Sequence, residues 1–569
     1  MNYLKKLKGK YQTALKIKKE DGWKGIEQQL KSLLFEFRES RNYQKWIKLN
    51  QINDAKRAEI KREIQNFSHQ PLISIILPVY NVEEKWLSIC VDSVTNQLYE
   101  KWELCIADDK SPGAHIRKVL DEYSKKDKRI KVVFRDENGH ISAASNSALK
   151  LAAGEFCVLL DHDDELTEDA LFYVAKELNN FPETEMIYSD EDMIDENGKR
   201  YEPKFKPDFS RELFYSLNLI THLSAYKTQV LRKMGGFRIG AEGSQDYDLA
   251  LRAIELIPEK NIRHIPRILY HWRAIRGSVA LSGDEKPYAH ERAREAIRLH
   301  LERIGRRAKV VRSIWNYHRV IYDLPENLPK IGLIFYSENE LDSAKETIEK
   351  IRSETDYENL ETIFIENADA EKLDSAVSKT TGEILCFVDA NLKPLTRDWL
   401  KEVVSFAVQD EIGAVGARII DSEKTVLQGG LIMGTNETVS AAHRGFLVDK
   451  LGNIGRNMLT GNFSAVSISC LCVKRNLFEE AGGFDFRNLP KRFFDADFCL
   501  KLREKGLRIV FTPYARMIRT DKQKRLNFEQ NPTAGETEFF TKKWQKICEN
   551  DPFYNPNLSK KDGSFSIEI

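Results

Sequence analysis

The sequence predicts an α/β chain in which two parallel-sheet domains follow a helical segment, and three observations predict it. Short apolar runs alternate with helical patterns over residues 71–325 and again over residues 326–569, as in successive βαβ units. A chain of 569 residues is longer than one hydrophobic core usually holds. Basic and apolar positions interleave at helical spacing near the start. We therefore expect a helical region over 1–70, a first α/β domain over 71–325 and a second over 326–569.

The composition argues against several classes of protein. Lys plus Arg numbers 88 and Asp plus Glu numbers 87, a balance that does not favour a nucleic-acid-binding protein. The apolar runs fall short of the roughly 20 residues that a membrane helix needs, and the lysine-rich start does not resemble a signal peptide. The eight cysteines are scattered without a CxxC pair, which favours free thiols. We expect a cytoplasmic protein that binds no nucleic acid.

Polar residues follow each of the first four predicted strands of the first domain. These strands cover residues 72–77, 103–107, 130–134 and 156–160. Because the carboxyl ends of parallel strands meet at one edge of a sheet and bind ligands there, we expect these polar residues to share one site. Such an edge can hold the base, the ribose and the diphosphate of a nucleotide. The residues are Pro78, Tyr80, Asn81, Asp108, Asp109, Asp136, Asp161 and Asp163.

The densest group of acids is Asp161-His162-Asp163-Asp164, directly after the fourth strand. Alternating carboxylates at the end of a strand can share one divalent cation, and Mg²⁺ and Mn²⁺ also accept oxygens from a substrate phosphate. The sequence therefore predicts a metal site for a diphosphate at Asp161 and Asp163. The alternative is a solvated acidic turn before the next helix, where negative charge favours the helix dipole.

Two later segments add candidate site residues. Asp246 opens a predicted helix after a glycine-rich stretch, and its carboxylate could accept a proton from an attacking hydroxyl. The alternative for Asp246 is a helix cap. His271 and Arg273 lie together on an apolar segment and suit phosphate oxygens or a metal ion. The alternative for His271 is a core histidine with internal hydrogen bonds.

Four of these motifs, taken in order, resemble family 2 glycosyltransferases of the GT-A fold. The resemblance covers residues 71 to about 310. It implies transfer of a sugar from a nucleotide-diphosphate donor, inversion at the anomeric carbon, and Mn²⁺ or Mg²⁺ as the cofactor. The motifs are Pro78-Val-Tyr-Asn81, Asp108-Asp109, Asp161-His-Asp163 and Gln245-Asp246.

The resemblance also implies roles for single residues. Asp108 or Asp109 would hold the base and the ribose. Asp161 and Asp163 would bind the metal and the donor, and Asp246 would be the catalytic base. We expect the remaining strand-end residues, with His271 and Arg273, to contribute to the nucleotide-sugar site.

The chain departs from the family pattern at two positions. Gln245 stands where the family usually has Glu, so a second negative charge is missing beside Asp246. The late histidine of the family often lies three residues before the serine of a Gly-Ser pair, and this chain has Ile275 there. His271 is the candidate substitute as a metal ligand.

The second domain repeats the first in a reduced form. A Gly-Glu pair precedes Asp161 by seven residues, and another precedes Asp389 by seven. The corresponding metal motif reads Asp389-Ala-Asn391, and Asp495 takes the position of Asp246. The segment before Asp389 is about thirty residues shorter, which predicts the loss of most of a βα unit. We expect an acceptor-binding or structural GT-A-like domain, although Asp389 and Asp495 leave a second catalyst open.

The N-terminal arm, residues 1–40, predicts a basic amphipathic helix. Lysines surround apolar positions at helical spacing. Such a helix can lie on an anionic membrane surface or pack on the protein's own domains, and the sequence favours neither. The apolar positions are Leu4, Leu7, Tyr11, Ala14, Leu15, Trp23, Ile26, Leu30, Leu33, Leu34 and Phe37.

Together these features predict an inverting, metal-dependent glycosyltransferase that builds a bacterial surface polysaccharide. The expected donor is dTDP-rhamnose or a UDP-sugar, with rhamnose preferred. The expected acceptor is a lipid-linked or growing saccharide at the cytoplasmic face of the membrane, with peripheral membrane contact. One alternative is a bifunctional polymerase that uses both domains, and another is a non-catalytic glycan-binding scaffold.

Overall fold

The computed structural model describes residue 27 and residues 29–275, 287–337, 344–436, 438–519, 526 and 531–569. Two nine-stranded sheets follow one another along the chain, each flanked by helices, after an N-terminal pair of helices. The predicted α/β class, with tandem domains behind a helical extension, is confirmed.

The helices alternate with strands, as the βαβ pattern predicts. Three short 3₁₀ helices cover Glu259–Asn261, Ile314–Asn316 and Asn453–Gly455. The α-helices are α1 (29–50), α2 (Asp54–Gln65), α3 (Glu84–Thr95), α4 (Ala114–Lys126), α5 (His140–Leu151), α6 (Ala170–Asn180), α7 (Arg211–Phe214), α8 (Thr228–Lys233), α9 (Gln245–Ala253), α10 (Pro287–Arg303), α11 (Ala344–Ser353), α12 (Ala370–Lys379), α13 (Trp399–Ala407), α14 (Arg475–Glu480), α15 (Phe494–Glu504), α16 (Ala534–Lys543) and α17 (Gln545–Glu549).

The first sheet has the order β3-β2-β1-β4-β8-β6-β9-β5, and β7 pairs with β6. Its strands are β1 (Ile73–Val79), β2 (Trp102–Asp108), β3 (Ile130–Phe134), β4 (Phe156–Leu159), β5 (Glu165–Leu166), β6 (Met186–Ile194), β7 (Arg200–Lys204), β8 (Ser224–Lys227) and β9 (Ile262–Arg273). The parallel pairing of β1 with β2 and β4 brings their carboxyl ends to one edge.

The first sheet is mixed and not parallel throughout. Strand β8 lies antiparallel between β4 and β6, and β6 then pairs in parallel with β9. A strand that is buried on both faces has the same apolar run in either direction, so the sequence pattern could not distinguish the two cases.

A two-stranded hairpin connects the domains and the second sheet repeats the first. The second sheet has the order β13-β12-β14-β21-β16-β22-β15, with β17 beside β16 and β20 beside β22. The strands are β10 (Ala308–Arg312), β11 (His318–Tyr322), β12 (Ile331–Tyr336), β13 (Leu360–Ile365), β14 (Ile384–Asp389), β15 (Leu392–Pro394), β16 (Ile412–Ile420), β17 (Val426–Gln428), β18 (Leu431–Met433), β19 (Val439–Ala441), β20 (Gly461–Asn462), β21 (Cys470–Lys474) and β22 (Arg508–Arg519).

Among the described residues the two sheets correspond strand by strand, except that β3 occurs only in the first and β20 only in the second. Strands β13, β12, β14, β21, β16, β22 and β15 match β2, β1, β4, β8, β6, β9 and β5 in order. Within the described ranges, the second sheet has no counterpart of β3. The predicted loss of a βα unit from the nucleotide half of the second domain agrees with this topology.

The repeated Gly-Glu pair has a packing reason. A Cβ at Gly154 would lie 2.6 Å from the backbone oxygen of Leu72, and a Cβ at Gly382 would lie 2.1 Å from the backbone nitrogen of Gly332. In both domains the chain therefore passes against the first strand at a distance that only glycine allows.

The two domains share a buried contact that fixes their relation. Asn462 is 1% exposed, and its Oδ1 accepts a hydrogen bond of 2.9 Å from Ser210 Oγ of the first domain. Its Nδ2 donates to the Ile509 oxygen at 3.2 Å within the second domain. One apolar core cluster also contains side chains from both sheets. An amide held on both sides in this way ties the domains together.

The N-terminal helix α1 packs on the protein along one face. Tyr43 is 1% exposed and its hydroxyl donates to Asp192 of β6. Trp46 Nε1 donates to Asn557 Oδ1 of the C-terminal segment at 3.2 Å. This part of the arm therefore packs on the protein. The basic positions before residue 27 lie outside the described residues.

Strand β6 carries three consecutive buried acids that the sequence analysis did not single out. Asp190, Glu191 and Asp192 are all at most 2% exposed. Burying a carboxylate is costly unless it is paired, and each of the three has basic or hydrogen-bonding partners. These partners are His264 and Asn555 for Asp190, Lys204, Lys206 and His222 for Glu191, and Tyr43, Arg200 and His271 for Asp192.

Every helix in the described ranges is too short or too polar to cross a membrane. The eight cysteines are buried free thiols, as their spacing predicted.

The His264–Asp190 pair predicts a pH dependence of stability. Burial lowers the pKa of His264, but the charge of Asp190 at 2.9 Å and the hydrogen bonds of the ring to carboxylates together have a larger, opposite effect. The resulting pKa is about 9, compared with an ordinary value of 6.5. The folded protein therefore holds a proton that the unfolded chain releases between these values. The contribution of this proton to the free energy of unfolding is on the order of 3 kcal/mol. It is fully present below pH 6.5 and is lost as pH rises through about 9.

Urea unfolding at pH 6.5 and at pH 9.5 measures this loss. His264→Gln should remove most of the difference, whereas His69→Gln, at a histidine whose side chain is 54% exposed, should leave it unchanged. Equal pH dependence in His264→Gln and the unmodified chain would contradict the assignment.

Candidate functional site

A deep cleft of about 2190 Å³ lies between the two domains at the carboxyl edge of the first sheet. We call it the interdomain cleft. Its far wall comes from second-domain residues between 445 and 454 and from the C-terminal residues Phe565 and Ile567, and one face of α1 forms a side wall. Six residues predicted from the sequence line it, namely Pro78, Tyr80, Asp109, Asp161, Asp163 and Asp246.

The end of β1 forms the floor of the cleft on the side of the first domain. Tyr80 is 48% exposed in the cleft, and the backbone oxygen of Pro78 lies 3.2 Å from His162 Nδ1. Asn81 donates its backbone N–H to Ser111 Oγ at 2.8 Å, and Asp108 accepts from the Ser111 nitrogen at 3.3 Å. Asn81 and Asp108 therefore shape the turn on which Tyr80 sits, and they lie outside the cleft lining of the described residues.

Asp109 reaches the cleft as half of a buried ion pair. It is 2% exposed, and its Oδ1 accepts from Arg135 Nε at 2.8 Å and from the Gly139 nitrogen at 3.0 Å. Asp136, the next acid in sequence, is exposed on the surface. The sequence analysis missed the role of Arg135, although its position at the end of the third strand was a signal.

A compact group of possible metal ligands, which we call the metal group, lies beside β4. Ligand atoms of Asp161, Asp164 and His222 all lie within 4.8 Å of one another. His222 Nε2 is 3.9 Å from Asp161 Oδ2, and its Nδ1 is 3.3 Å from Glu191 Oε2. A carboxylate on the second ring nitrogen is the usual way in which proteins orient a metal-binding histidine. His222 also stacks on Tyr270 at 4.5 Å, which fixes the ring.

Within this group Asp161 and His222 face the cleft, and Asp164 supports them. Asp164 is 1% exposed and accepts from the Tyr270 hydroxyl at 2.5 Å and from the Arg273 nitrogen at 2.7 Å. Burial, followed by the charges of Asp163 and Asp161, raises the pKa of Asp164 well above its ordinary value.

The charge balance fits a divalent cation. Burial and the neighbouring Asp161 raise the pKa of Asp163, although His162 lowers it. A positive charge beside Asp163 and Asp164 would favour the ionised form of both carboxyls. A donor set of carboxylate oxygens and one imidazole suits Mn²⁺ and, less well, Mg²⁺.

The structure places His271 and Arg273 outside the lining of the interdomain cleft among the described residues. His271 Nδ1 lies 2.5 Å from Asp192 Oδ1, and it is His222, which lines the cleft, that lies beside Asp161 and Asp164. Arg273 is 1% exposed, donates from Nε to the Asp163 oxygen at 2.8 Å and pairs with Glu165. A guanidinium buried behind the acidic loop stabilises the loop and cannot reach a ligand phosphate.

Asp246 lies in the first turn of α9 and faces the cleft. Ser244 holds the N-cap position, so Asp246 is not the cap of this helix. Its Oδ2 accepts a hydrogen bond from Asn218 Nδ2 at 2.8 Å. Burial raises the pKa of Asp246, and of the two charges next in weight His222 lowers it while Asp161 raises it. A carboxylate with a raised pKa is a better proton acceptor near neutral pH.

The other half of the cleft has exposed aromatic side chains. Tyr288 at the start of α10 is 48% exposed and packs on Gly243, where a Cβ would lie 2.8 Å from its ring. Trp315 at the tip of the β10–β11 hairpin is 70% exposed and has a φ of 55°. A tryptophan in the left-handed region is strained, and such outliers concentrate at functional sites.

The corresponding acids of the second domain have internal partners. Asp389 is fully buried, accepts from the Asn391 nitrogen at 2.9 Å and lies 4.0 Å from Arg519 Nη1. Asp495 Oδ2 accepts from the Ile468 nitrogen at 3.0 Å. Neither residue lines the interdomain cleft among the described residues.

Comparison with known proteins agrees with this geometry. The sequence profile of "Glycosyl transferase family 2" matches residues 74–235, which include the first-domain strand ends and the Asp161–Asp164–His222 group. These residues form a glycosyltransferase family 2 domain. The chain is 35% identical over 559 residues to the uncharacterized protein y4gI of Sinorhizobium fredii. The matched region covers 92% of this chain and 61% of that protein.

A second relative of the chain is the O-antigen biosynthesis protein RfbC of Myxococcus xanthus. The identity is 29% over 530 residues, covering 87% of this chain and 41% of that protein. The chain therefore spans less than two thirds of the length of either relative. Among solved structures, S. aureus TarS 1–349 with UDP-GlcNAc is 19% identical, with a TM-score of 0.32 over 40% of this chain and 72% of that one.

The two possible histidine assignments predict different responses to mutation. His222→Gln should weaken Mn²⁺ binding by tenfold or more, because an imidazole ligand beside Asp161 is lost. His271→Gln is the matched control, since it also removes a histidine that pairs with a buried acid of β6, and it should leave Mn²⁺ binding near that of the unmodified chain.

Titration of Mn²⁺ followed by electron paramagnetic resonance measures both variants, and thermal unfolding checks that each is folded. A larger loss in His271→Gln than in His222→Gln would restore the sequence-based assignment.

Proposed function

We propose that the chain is an inverting, metal-dependent glycosyltransferase that builds a bacterial surface polysaccharide. The single observation that carries this proposal is that Asp246 faces the same cleft as the Asp161–His222 group. A proton acceptor and a site for diphosphate are the two things that inverting sugar transfer needs. The name of the Myxococcus xanthus relative, which refers to O-antigen biosynthesis, supports a surface polysaccharide as the product.

The proposed reaction exchanges one bond at the anomeric carbon. The acceptor hydroxyl oxygen bonds to that carbon as the bond to the diphosphate oxygen breaks, and the hydroxyl proton moves to Asp246. Asn218 holds the carboxylate of Asp246 in place through its 2.8 Å hydrogen bond. A divalent cation held by Asp161 and His222 would neutralise negative charge on the departing nucleotide diphosphate.

The proposed donor is dTDP-rhamnose or a UDP-sugar, with rhamnose preferred. The donor would lie against Tyr80 and the Asp109–Arg135 pair. The acceptor, a lipid-linked or growing saccharide, would occupy the half of the cleft that the second domain closes. The proposed location is the cytoplasmic face of the cell membrane. Screening nucleotide sugars against an extract of lipid-linked saccharides tests this assignment.

The two alternative functions receive less support. A bifunctional polymerase needs a second active centre, and Asp389 and Asp495 are engaged by Asn391, Arg519 and the Ile468 nitrogen. A non-catalytic scaffold has no need of a carboxylate with a raised pKa that faces the cleft near possible metal ligands, and Asp246 is such a carboxylate.

Replacing the proposed base should separate catalysis from binding. Asp246→Asn keeps the shape and the Asn218 neighbour but cannot accept a proton, so turnover should fall by roughly 10²–10⁴ with little change in donor affinity. Asp495→Asn is the matched control at the corresponding position of the second domain and should retain turnover. If donor affinity collapses in Asp246→Asn while bound donor still reacts, Asp246 is a binding residue.

The raised pKa of Asp246 also sets a pH response. Turnover needs the ionised carboxylate, so the acid limb of the turnover profile should lie above the range of an ordinary aspartate. An acid limb at the ordinary aspartate value, or one that persists in Asp246→Asn, would contradict this.

Trp315 should contribute to acceptor binding. Its exposed ring can pack on the apolar face of a sugar, because aromatic rings offer large apolar contacts at low entropic cost. Trp315→Ala should raise the KM for the saccharide acceptor about tenfold, equivalent to ~1.4 kcal/mol, with the donor KM unchanged. Ile304→Ala, at an exposed residue outside the cleft lining, is the control. A rise in the donor KM would place Trp315 in the donor half.

A further inference from the structure

Helix α1 exposes a stripe of large apolar side chains on its outer face. Leu30, Leu33, Leu34 and Phe37 are 54%, 51%, 67% and 65% exposed. Their spacing of three, four and seven residues places them on one side of a helix. We call these four residues the outer stripe. A contiguous exposed apolar face of this kind marks a surface that contacts something else.

The opposite face of the same helix is held firmly by the protein. Phe35 meets Phe446 of the second domain edge to face at 5.3 Å, and Glu39 Oε2 accepts from the Ile567 nitrogen at 2.7 Å. Tyr43 donates to Asp192 of the first domain. Phe35, Glu39 and Tyr43 also line the interdomain cleft. The helix therefore cannot rotate to bury the outer stripe without breaking contacts to both domains and to the C-terminal segment.

The charge of the sequence that leads into the stripe identifies the occupant. Residues 1–31 contain nine lysines and three acidic residues. A second protein surface would need a matching apolar patch and a separate acidic patch, whereas an anionic bilayer provides apolar depth and negative charge together. The observations therefore favour a lipid surface.

We propose that α1 docks on an anionic phospholipid bilayer through the outer stripe. Because the other face of α1 is a wall of the interdomain cleft, docking places that wall beside the bilayer surface. A saccharide whose lipid anchor remains in the membrane could then enter the cleft along α1. This last step rests on the proposed function, but the docking does not.

Vesicle co-sedimentation of the full chain tests the docking. The chain should bind vesicles of phosphatidylcholine with 30% phosphatidylglycerol and bind pure phosphatidylcholine at least tenfold less. Leu33→Glu with Phe37→Glu should lower binding to the anionic vesicles at least tenfold. Leu49→Glu is the matched control, because Leu49 is an apolar residue of α1 that is 70% exposed but lies outside the stripe.

A second measurement locates the helix directly. All eight native cysteines are buried, so Phe37→Cys provides one accessible thiol for a polarity-sensitive fluorophore. Its emission should shift to shorter wavelength on anionic vesicles, and the same label at Leu49→Cys should shift much less. Equal shifts at the two positions would overturn the proposed orientation.

The remaining outcomes are also decisive. Unchanged vesicle binding by Leu33→Glu with Phe37→Glu would overturn the proposal, as would a dimer of the unmodified chain that this double variant converts to a monomer in light scattering. Hydrolysis of a nucleotide-sugar donor, measured without vesicles, should be unchanged in the double variant. Vesicle binding with no turnover of any donor would leave the docking in place and reject the proposed function.

Discussion

The buried acids of β6 are the constraint on which the architecture depends. Three carboxylates in succession cannot stay ionised inside a protein unless each has partners, and no single neighbouring element supplies enough. Asp190 takes partners from β9 and the C-terminal segment, Glu191 from β7 and the residues before β8, and Asp192 from α1, β7 and β9. One strand thereby fixes α1, the C-terminal segment and the histidine of the metal group.

The partners of buried charges also explain why the duplicated domains differ. In the first domain, Arg273 holds the acidic loop from behind through the oxygen of Asp163, so Asp161 remains turned to the cleft. In the second domain, Arg519 lies at the corresponding strand end, but there it faces Asp389 itself. An acid that is buried against an arginine has lost the freedom to bind a ligand. The repeat thus retains the fold, while the acid at the corresponding strand end is exposed to the cleft in the first copy and buried in the second.

The position of the cleft follows from this division. The first domain supplies the acids and the metal group, while the second domain and α1 close the space in front of them. Asn462 keeps the domains in register through Ser210, so the cleft has fixed walls. The proposed division of labour, with donor chemistry on one side and acceptor recognition on the other, needs such a fixed spacing between two dissimilar surfaces.

The sequence by itself determined the strand ends, the helix start at Asp246 and the missing βα unit of the second domain, because these depend on local apolar periods and on the residues that end them. Only the tertiary structure decided the partners of buried charges. His222 lies 61 residues after Asp161 and belongs to no motif. It comes close to Asp161 because β8, which follows it, packs antiparallel beside β4. The internal partners of His271 and Arg273 likewise come from distant segments. Burial converts a polar side chain that could bind a ligand into one that must be paired within the protein, and burial is set by contacts between distant segments.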